Sequence, residues 1–297
     1  MSKPRFEWPT LALLLVCYAG WMAGTTWLSQ VSLFLGIGVT ALCVGLFSSL
    51  QHEIIHGHPF ENKRLNEALI FPSLPLLIPY LRFRDTHLDH HFDANLTDPY
   101  DDPESNYLDP VVWQGMSQVK QKILLINNTL AGRILIGVLI SQVSFMIGDW
   151  RAMRKGDARV ARGWLWHLPA LMPVLLWLGY VAQMPIWAAL LATYLGLSIL
   201  KIRTFLEHQA HDRASGRTAI VEDRGPLALL FLNNNLHVVH HIHPRVPWYE
   251  LPQLYANNRA HYQTRNGGYV FASYAEIFRK YLWQRKDPVP HPIWRRP

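Results

Sequence analysis

Residues 31–56 read VSLFLGIGVTALCVGLFSSLQHEIIH, an apolar run that passes without a break into His52 and His56, four positions apart. A helix crossing the hydrocarbon core of a bilayer takes about 20 apolar residues. No charged residue occurs between Glu7 and Glu53, so this stretch holds two spans, about 10–28 and 31–50, joined by a tight turn. If the second helix continues past residue 50, His52 and His56 lie on one face, one turn apart, at the membrane boundary.

The same arrangement recurs downstream. No charge occurs between Arg162 and Lys201, which gives a second pair of spans at about 164–181 and 184–200. The turns near Ser29-Gln30 and Gln183 are uncharged, whereas Lys3, Arg5, Lys63, Arg64, Arg151, Arg154, Lys155, Arg159, Lys201 and Arg203 flank the other ends. The positive-inside rule then makes both hairpins dip outward and leaves residues 51–163 and 201–297 cytoplasmic. Half of the residues are hydrophobic and 12 are Trp, as befits a membrane protein. Lys3 and Arg5 ahead of an apolar stretch also fit a cleaved leader, but the second apolar run follows with almost no polar gap, which suits a hairpin better.

Two segments between the hairpins read differently. Residues 66–81, NEALIFPSLPLLIPYL, are apolar but interrupted by Pro72, Pro75 and Pro79, which predicts an interfacial or protein-buried segment. Residues 123–148 hold Asn127, Asn128 and Arg133, which predicts a helix lying along the membrane surface, with a short fifth span as the alternative.

Further histidines cluster in HLDHH (His87, His90, His91), LEHQAH (His208) and HVVHH (His237, His240, His241). On a helix the first and fourth positions of HxxHH share a face while the fifth points about a quarter turn away, so each box can serve two neighbouring ions. Nine imidazoles overfill a single tetrahedral zinc site, which takes four ligands, and two metals fit better. Imidazole suits iron, copper, zinc and nickel alike, so ligand type does not choose the metal. The two cysteines, Cys17 and Cys43, both lie in predicted spans, which excludes a Cys-ligated cluster and argues against a disulfide scaffold.

In this order, with spans between them, HEIIH, HLDHH and HVVHH resemble the three histidine boxes of the membrane fatty acid desaturase superfamily, which includes desaturases, alkane hydroxylases and carotenoid ketolases. The resemblance runs from the first span to about Tyr255. HHIHPRVPWYELPQLY is similar to the segment after the last box in bacterial desaturases and carotenoid ketolases, and His208 matches the additional histidine that follows the fourth span in relatives. Animal acyl-CoA desaturases place a water-linked Asn one turn before that histidine, where this chain has Thr204.

The resemblance implies an all-α integral membrane fold, four spans in two hairpins with a cytoplasmic histidine-lined helical cap, as a single domain over 1–297. It implies two non-haem Fe ions ligated by His52, His56, His87, His90, His91, His208, His237, His240 and His241, with O2 as co-substrate. The expected reaction is desaturation of a fatty acyl or other lipid-like chain, with hydroxylation or ketolation of an alkane, carotenoid or related lipid as the alternative. A bacterial inner membrane is the expected location.

The remaining histidines read more plainly. His58, His211 and His243 are expected to hydrogen-bond near the boxes, His167 to pack at the interface, and His261 and His291 to lie at the surface. Glu53, Asp89 and Glu207 adjoin ligands in sequence and are candidates to accept an imidazole N–H. The acidic run TDPYDDPES, residues 97–105, reads as a cytoplasmic loop held by proline turns, with a direct iron-binding role as the remote alternative.

The chain contains no GxGxxG, flavin or HPGG haem motif, so electrons are expected from a separate ferredoxin, rubredoxin or cytochrome-type donor. Residues 201–297 carry fourteen Lys or Arg against seven Asp or Glu, a surplus equal to the whole formal net charge of +7. Membrane lipid headgroups or an acidic donor account for it; nucleic acid does not, because no binding motif accompanies the basic residues. A membrane metal transporter or sensor is a remote alternative, since it would place ionisable residues within the spans.

Overall fold

This computed structural model describes residues 6–295, so Lys3 and Arg5 lie outside the described residues. The chain is mostly helical. It divides into two compact units, residues 1–85 with 139–200 and residues 86–138 with 201–297.

In the first unit, a helix starting at Trp8 runs to Ala23, widens into a π-turn over Gly24–Leu28 and ends at Val31. The hydroxyls of Thr25 and Thr26 donate to the carbonyls of Trp21 and Met22, 3.0 and 2.7 Å away, a pattern that loosens the regular ladder. Ser32 is extended, and its hydroxyl accepts from the Leu35 amide at 3.4 Å, which starts the next helix, Leu33–Ile55. The two arms touch through glycine. A Cβ on Gly36 would stand 2.7 Å from Ser29 Cα and 2.8 Å from the Gly24 carbonyl, and one on Gly196 would stand 2.6 Å from the Ala41 carbonyl. Small residues here let backbones approach where lipid supplies no hydrophobic drive.

Among the described residues, four helices are long and apolar enough to cross a membrane: Trp8–Val31, Leu33–Ile55, Leu130–Arg154 and Ile186–Thr204. This set differs from the sequence reading in its third member. The stretch expected along the surface, 123–148, divides at Asn128 into a helix Gln118–Asn127 and the 25-residue helix Leu130–Arg154. The stretch expected to span at 164–181 is a helix, Ala158–Tyr180, but His167, Pro169, Pro173 and several tryptophans dilute its apolarity. Its Leu165, Leu168, Met172 and Leu176 are nonetheless exposed.

That helix receives the proline-broken segment. The Ser73 amide donates to the Ala170 carbonyl at 3.0 Å, and His167 Nε2 lies 2.8 Å from the Leu76 carbonyl. Ile70, Ser73 and Leu74 are buried, so of the two expectations for 66–81 the protein-buried one holds. A further polar tie is deeper: Arg82 grips Asp149 through two hydrogen bonds of 2.9 Å, and Trp164 Nε1 donates to the same carboxylate at 2.8 Å. All the strong groups of this buried pair are satisfied, which is what makes it tolerable away from water.

The second unit is built on Ile220, Leu236, Val238, Val239, Leu251, Tyr255 and Tyr262. A two-stranded parallel sheet pairs Ile220 with Val270 and Val221 with Phe271. The Val221 amide also donates to the Asn235 carbonyl at 2.8 Å, which fixes the approach to the short helix His237–Ile242 that carries HVVHH.

Candidate metal centre

The helix Tyr80–His90 ends in the HLDHH box, so His87 and His90 share a face and His91 follows beyond its last turn. His208 follows the end of the helix Ile186–Thr204, paired across an isolated bridge with Thr218. Together with His237, His240 and His241 these seven residues assemble within the second unit. His90, His208, His237 and His241 each offer a ligand atom within 4.8 Å of the others, and so do His87, His91 and His240. The groups are neighbours: the rings of His91 and His241 stack with centroids 4.4 Å apart. His52 and His56 belong to the first unit, where their ring centroids are 4.9 Å apart.

The atoms that face one another are Nε2. His208 Nε2 lies 2.9 Å from that of His90 and 3.1 Å from that of His237. His91 Nε2 lies 3.0 Å from that of His87 and 3.2 Å from that of His240. On three of the rings the opposite nitrogen is held, while His208 Nδ1 is buried without a hydrogen-bond partner. His90 Nδ1 lies 2.7 Å from Asp102, His87 Nδ1 lies 3.0 Å from Glu104, and His237 Nδ1 lies 2.9 Å from the Asn234 amide oxygen. An acceptor at Nδ1 keeps the hydrogen there and turns the Nε2 lone pair toward the group. Several lone pairs pointing at one place repel unless a cation draws them together, so the donor set fits metal ions of the imidazole-binding kind.

The electrostatics of three rings agree, and those of His90 run the other way. Burial holds His208 and His237 well below the ordinary imidazole range, and burial also lowers His87 against the pull of Glu104, which favours neutral rings, the form that ligates. Burial would lower His90 too, but Glu104 and Asp102 beside it outweigh that and hold it up to about 9. Burial works against ionisation of Glu104, yet His90 and His87 keep it below the usual carboxylate range. Burial raises Glu207 despite Arg203 Nε at 2.7 Å.

Asp102 and Glu104, which contact the box histidines, are not among the carboxylates singled out from the sequence as imidazole partners. Asp102 also accepts from the Thr97 amide at 2.8 Å and the Glu104 amide at 2.9 Å, so the run TDPYDDPES wraps its own carboxylate before presenting it to His90. Of the candidates chosen by adjacency, Glu207 lies 3.7 Å from His237 Nδ1 and Glu53 lies 4.0 Å from His58 Nε2. The one signal available was an acidic run between two boxes.

The other histidines separate clearly. His58 Nδ1 is held 2.8 Å from both oxygens of Glu7, His211 Nδ1 accepts from the Arg213 amide at 3.1 Å, and His243 Nε2 lies 3.1 Å from the Tyr262 hydroxyl. His261 is exposed, as expected. His291 is not a surface residue: only 5% of it is accessible, because its ring lies 4.9 Å from that of Tyr107 and its Nε2 lies 3.2 Å from Thr97 Oγ1. Lys286, counted among the surface basic residues, is likewise folded inward, its ammonium on the His208 carbonyl.

Apolar helices long enough to span, together with clustered imidazoles able to hold metal ions, mark a membrane-protein class with a candidate metal centre. The chain belongs to the fatty acid desaturase family, whose model matches residues 25–273. Two similar proteins are the beta-carotene ketolase of Paracoccus sp. strain PC1, 25% identical over 82% of this chain and 89% of that protein, and the beta-carotene ketolase of Paracoccus sp. strain N81106 / MBIC 01143, 23% identical over 73% of this chain and 76% of that protein.

Proposed function

We propose that this protein is a di-iron, O2-dependent membrane oxidoreductase that attacks a C–H bond of a lipid-like substrate. The observation that carries the reading is the pair of histidine groups whose Nε2 atoms converge while carboxylates and an amide hold the opposite nitrogens. In this reading all nine histidines are ligands: His90, His208, His237 and His241 share one iron, His87, His91 and His240 share the other, and His52 and His56 complete the set. The irons supply reductive activation of dioxygen, with electrons from a ferredoxin, rubredoxin or cytochrome-type donor.

The chain's own residues do the rest. Asp102 and Glu104 keep the proton at Nδ1 of His90 and His87, fixing each ring's tautomer and direction. Burial of His87, His90, His237 and His240 excludes water from the ligands and protects reactive species from side reactions. We place the active site on the cytoplasmic face of a bacterial inner membrane, from the distribution of flanking basic residues.

Ketolation of a carotenoid or related lipid leads the substrate reading, since both ketolase relatives cover most of the chain. Two rounds of hydroxylation at one ring methylene give a geminal diol, which loses water to a ketone. Desaturation of a fatty acyl chain is the second reading, favoured by the family match. Expression in cells that make β-carotene, followed by mass analysis of carotenoids and acyl lipids, separates them: a carotenoid gaining oxygen and losing hydrogen supports the first, and an acyl chain losing only hydrogen supports the second. Purified protein should hold close to two irons per chain; full activity with one metal, or with zinc alone, would refute the di-iron assignment.

A further inference from the structure

The run that delivers Asp102 and Glu104 to the histidines carries an unusual residue. Thr97 has φ +71°, a left-handed conformation that a β-branched side chain resists. That conformation aims the Thr97 amide at Asp102 Oδ2, 2.8 Å away. Such strain persists only where neighbouring contacts over-determine it; here Ser105 Oγ donates to the Thr97 carbonyl at 2.9 Å, Arg217 donates to the Leu96 carbonyl at 2.8 Å, and further contacts come from residues 285–294.

This C-terminal strap grips the loop at several points. The Leu108 amide donates to the Val289 carbonyl at 3.0 Å, and the His291 amide donates to the Leu108 carbonyl at 2.8 Å. Trp294 Nε1 donates to Asp98 at 2.7 Å, and its ring packs 5.6 Å from that of Tyr100. Tyr107 donates its hydroxyl proton to Asp287. His291 Nδ1 accepts from the Trp294 amide at 2.8 Å and lies 3.3 Å from that of Ile293. An imidazole accepting at Nδ1 carries its hydrogen on Nε2, so Nε2–H donates to Thr97 Oγ1 at 3.2 Å.

We infer that His291 is a positioning residue for the metal centre: it holds Thr97 in its strained conformation, Thr97 holds Asp102, and Asp102 orients His90. The strap lies beyond the residues 25–273 that match the family model. The inference rests on the metal reading above.

The test uses the full chain purified in detergent and three variants: His291→Phe, which keeps a ring against Tyr107 but has no donor; His291→Gln, whose amide returns a donor near Nε2; and His291→Phe combined with Thr97→Gly, since glycine adopts positive φ unaided. Two quantities are read, amide exchange at Thr97 and Glu104, and the rate at which a chelator removes ferrous iron. His291→Phe should speed both by about tenfold, within the range expected when the partner of a ligand is disturbed, and both His291→Gln and the Gly combination should recover most of the loss.

Unchanged exchange in His291→Phe overturns the inference, and so does faster exchange with unchanged iron release. Failure of both rescues in folded protein also overturns it, since only packing would then matter. If His291→Phe loses its helical circular dichroism, Trp294→Phe, which drops the bond to Asp98 but keeps a ring beside Tyr100, is read in its place with the same criteria. A wild-type chain that takes up no ferrous iron refutes the metal reading instead, while exchange at Thr97 and Glu104 still decides whether the strap holds the loop.

Discussion

At the scale of single residues, the histidine boxes were open to reading because HxxHH and HxxxH place imidazoles on one helical face whatever the tertiary structure does. Their carboxylate partners were not. Asp102 reaches His90 across 12 residues, through a loop whose shape depends on a left-handed threonine, and no periodic signal encodes such a turn. Adjacency pointed to Asp89 and Glu207 instead. The ligands and their partners should behave differently on substitution. His90→Ala and His240→Ala should abolish turnover, because no other side chain replaces a central ligand; wild-type activity in either would remove it from the centre. Asp102→Asn should keep the fold but weaken iron binding by about 10- to 100-fold, read by chelator competition. Iron affinity equal to wild type would leave Asp102 with only a local role in its loop.

At the scale of elements, the first hairpin was legible because a charge-free run bounded by Glu7 and Glu53 has few ways to sit near lipid. The third span was harder: Asn127 and Asn128 looked like interruptions of one surface helix, whereas they end a short helix just before Leu130–Arg154 begins. Arg133 near its start is absorbed by bonds to the Asn127 carbonyl at 3.1 Å and to Asn106, contacts that composition does not reveal. Two elements make strong stability predictions. Gly36→Ala should lower the melting temperature in detergent, because the added methyl meets Ser29 and Gly24 backbone that has little room to shift; overpacking of this kind costs about 1–3 kcal/mol. Arg82→Ala should cost about 3–5 kcal/mol by leaving Asp149 buried without its cation, and Arg82→Met with Asp149→Leu should recover much of it; an unperturbed single variant would mean that Trp164 alone satisfies the carboxylate. A third element carries a pH dependence: Arg259, then Tyr255 and Gln263, hold Glu222 down to about 2. A depressed carboxylate contributes stability that is present above its ordinary range and lost as pH falls toward 2. Glu222→Gln should therefore flatten the acid limb of thermal unfolding in that window, by a small amount because Arg259 is exposed and water screens the pair.

At the scale of the whole molecule, the basic surplus of residues 201–297 was visible from the sequence, but its distribution was not. Arg279, Lys280 and Arg285 are exposed, whereas Lys286 turns inward against His208 and Asp287, so only the first three belong to a candidate docking face. If an acidic redox protein delivers the electrons, reversing those three to Glu should raise the donor concentration needed for half-maximal turnover at low salt, and the difference should fade as ions screen it over about 10 Å. Iron content should not change. Salt-independent kinetics with an unaffected variant would assign these charges to lipid headgroups. The family and the membrane character could be read from the boxes and the apolar runs together, because both are local patterns; the choice between ketone and alkene could not, because it depends on where a substrate carbon stops relative to the ligands. The wide sequence separation of the ligands also has a consequence for biosynthesis. His90 meets His208 across 118 residues, and the same group is completed only by His237 and His241, so a ribosome must have released residue 241 before these four imidazoles can gather. Any metal held by all four is therefore acquired late in synthesis, after the last of the four apolar helices has been made.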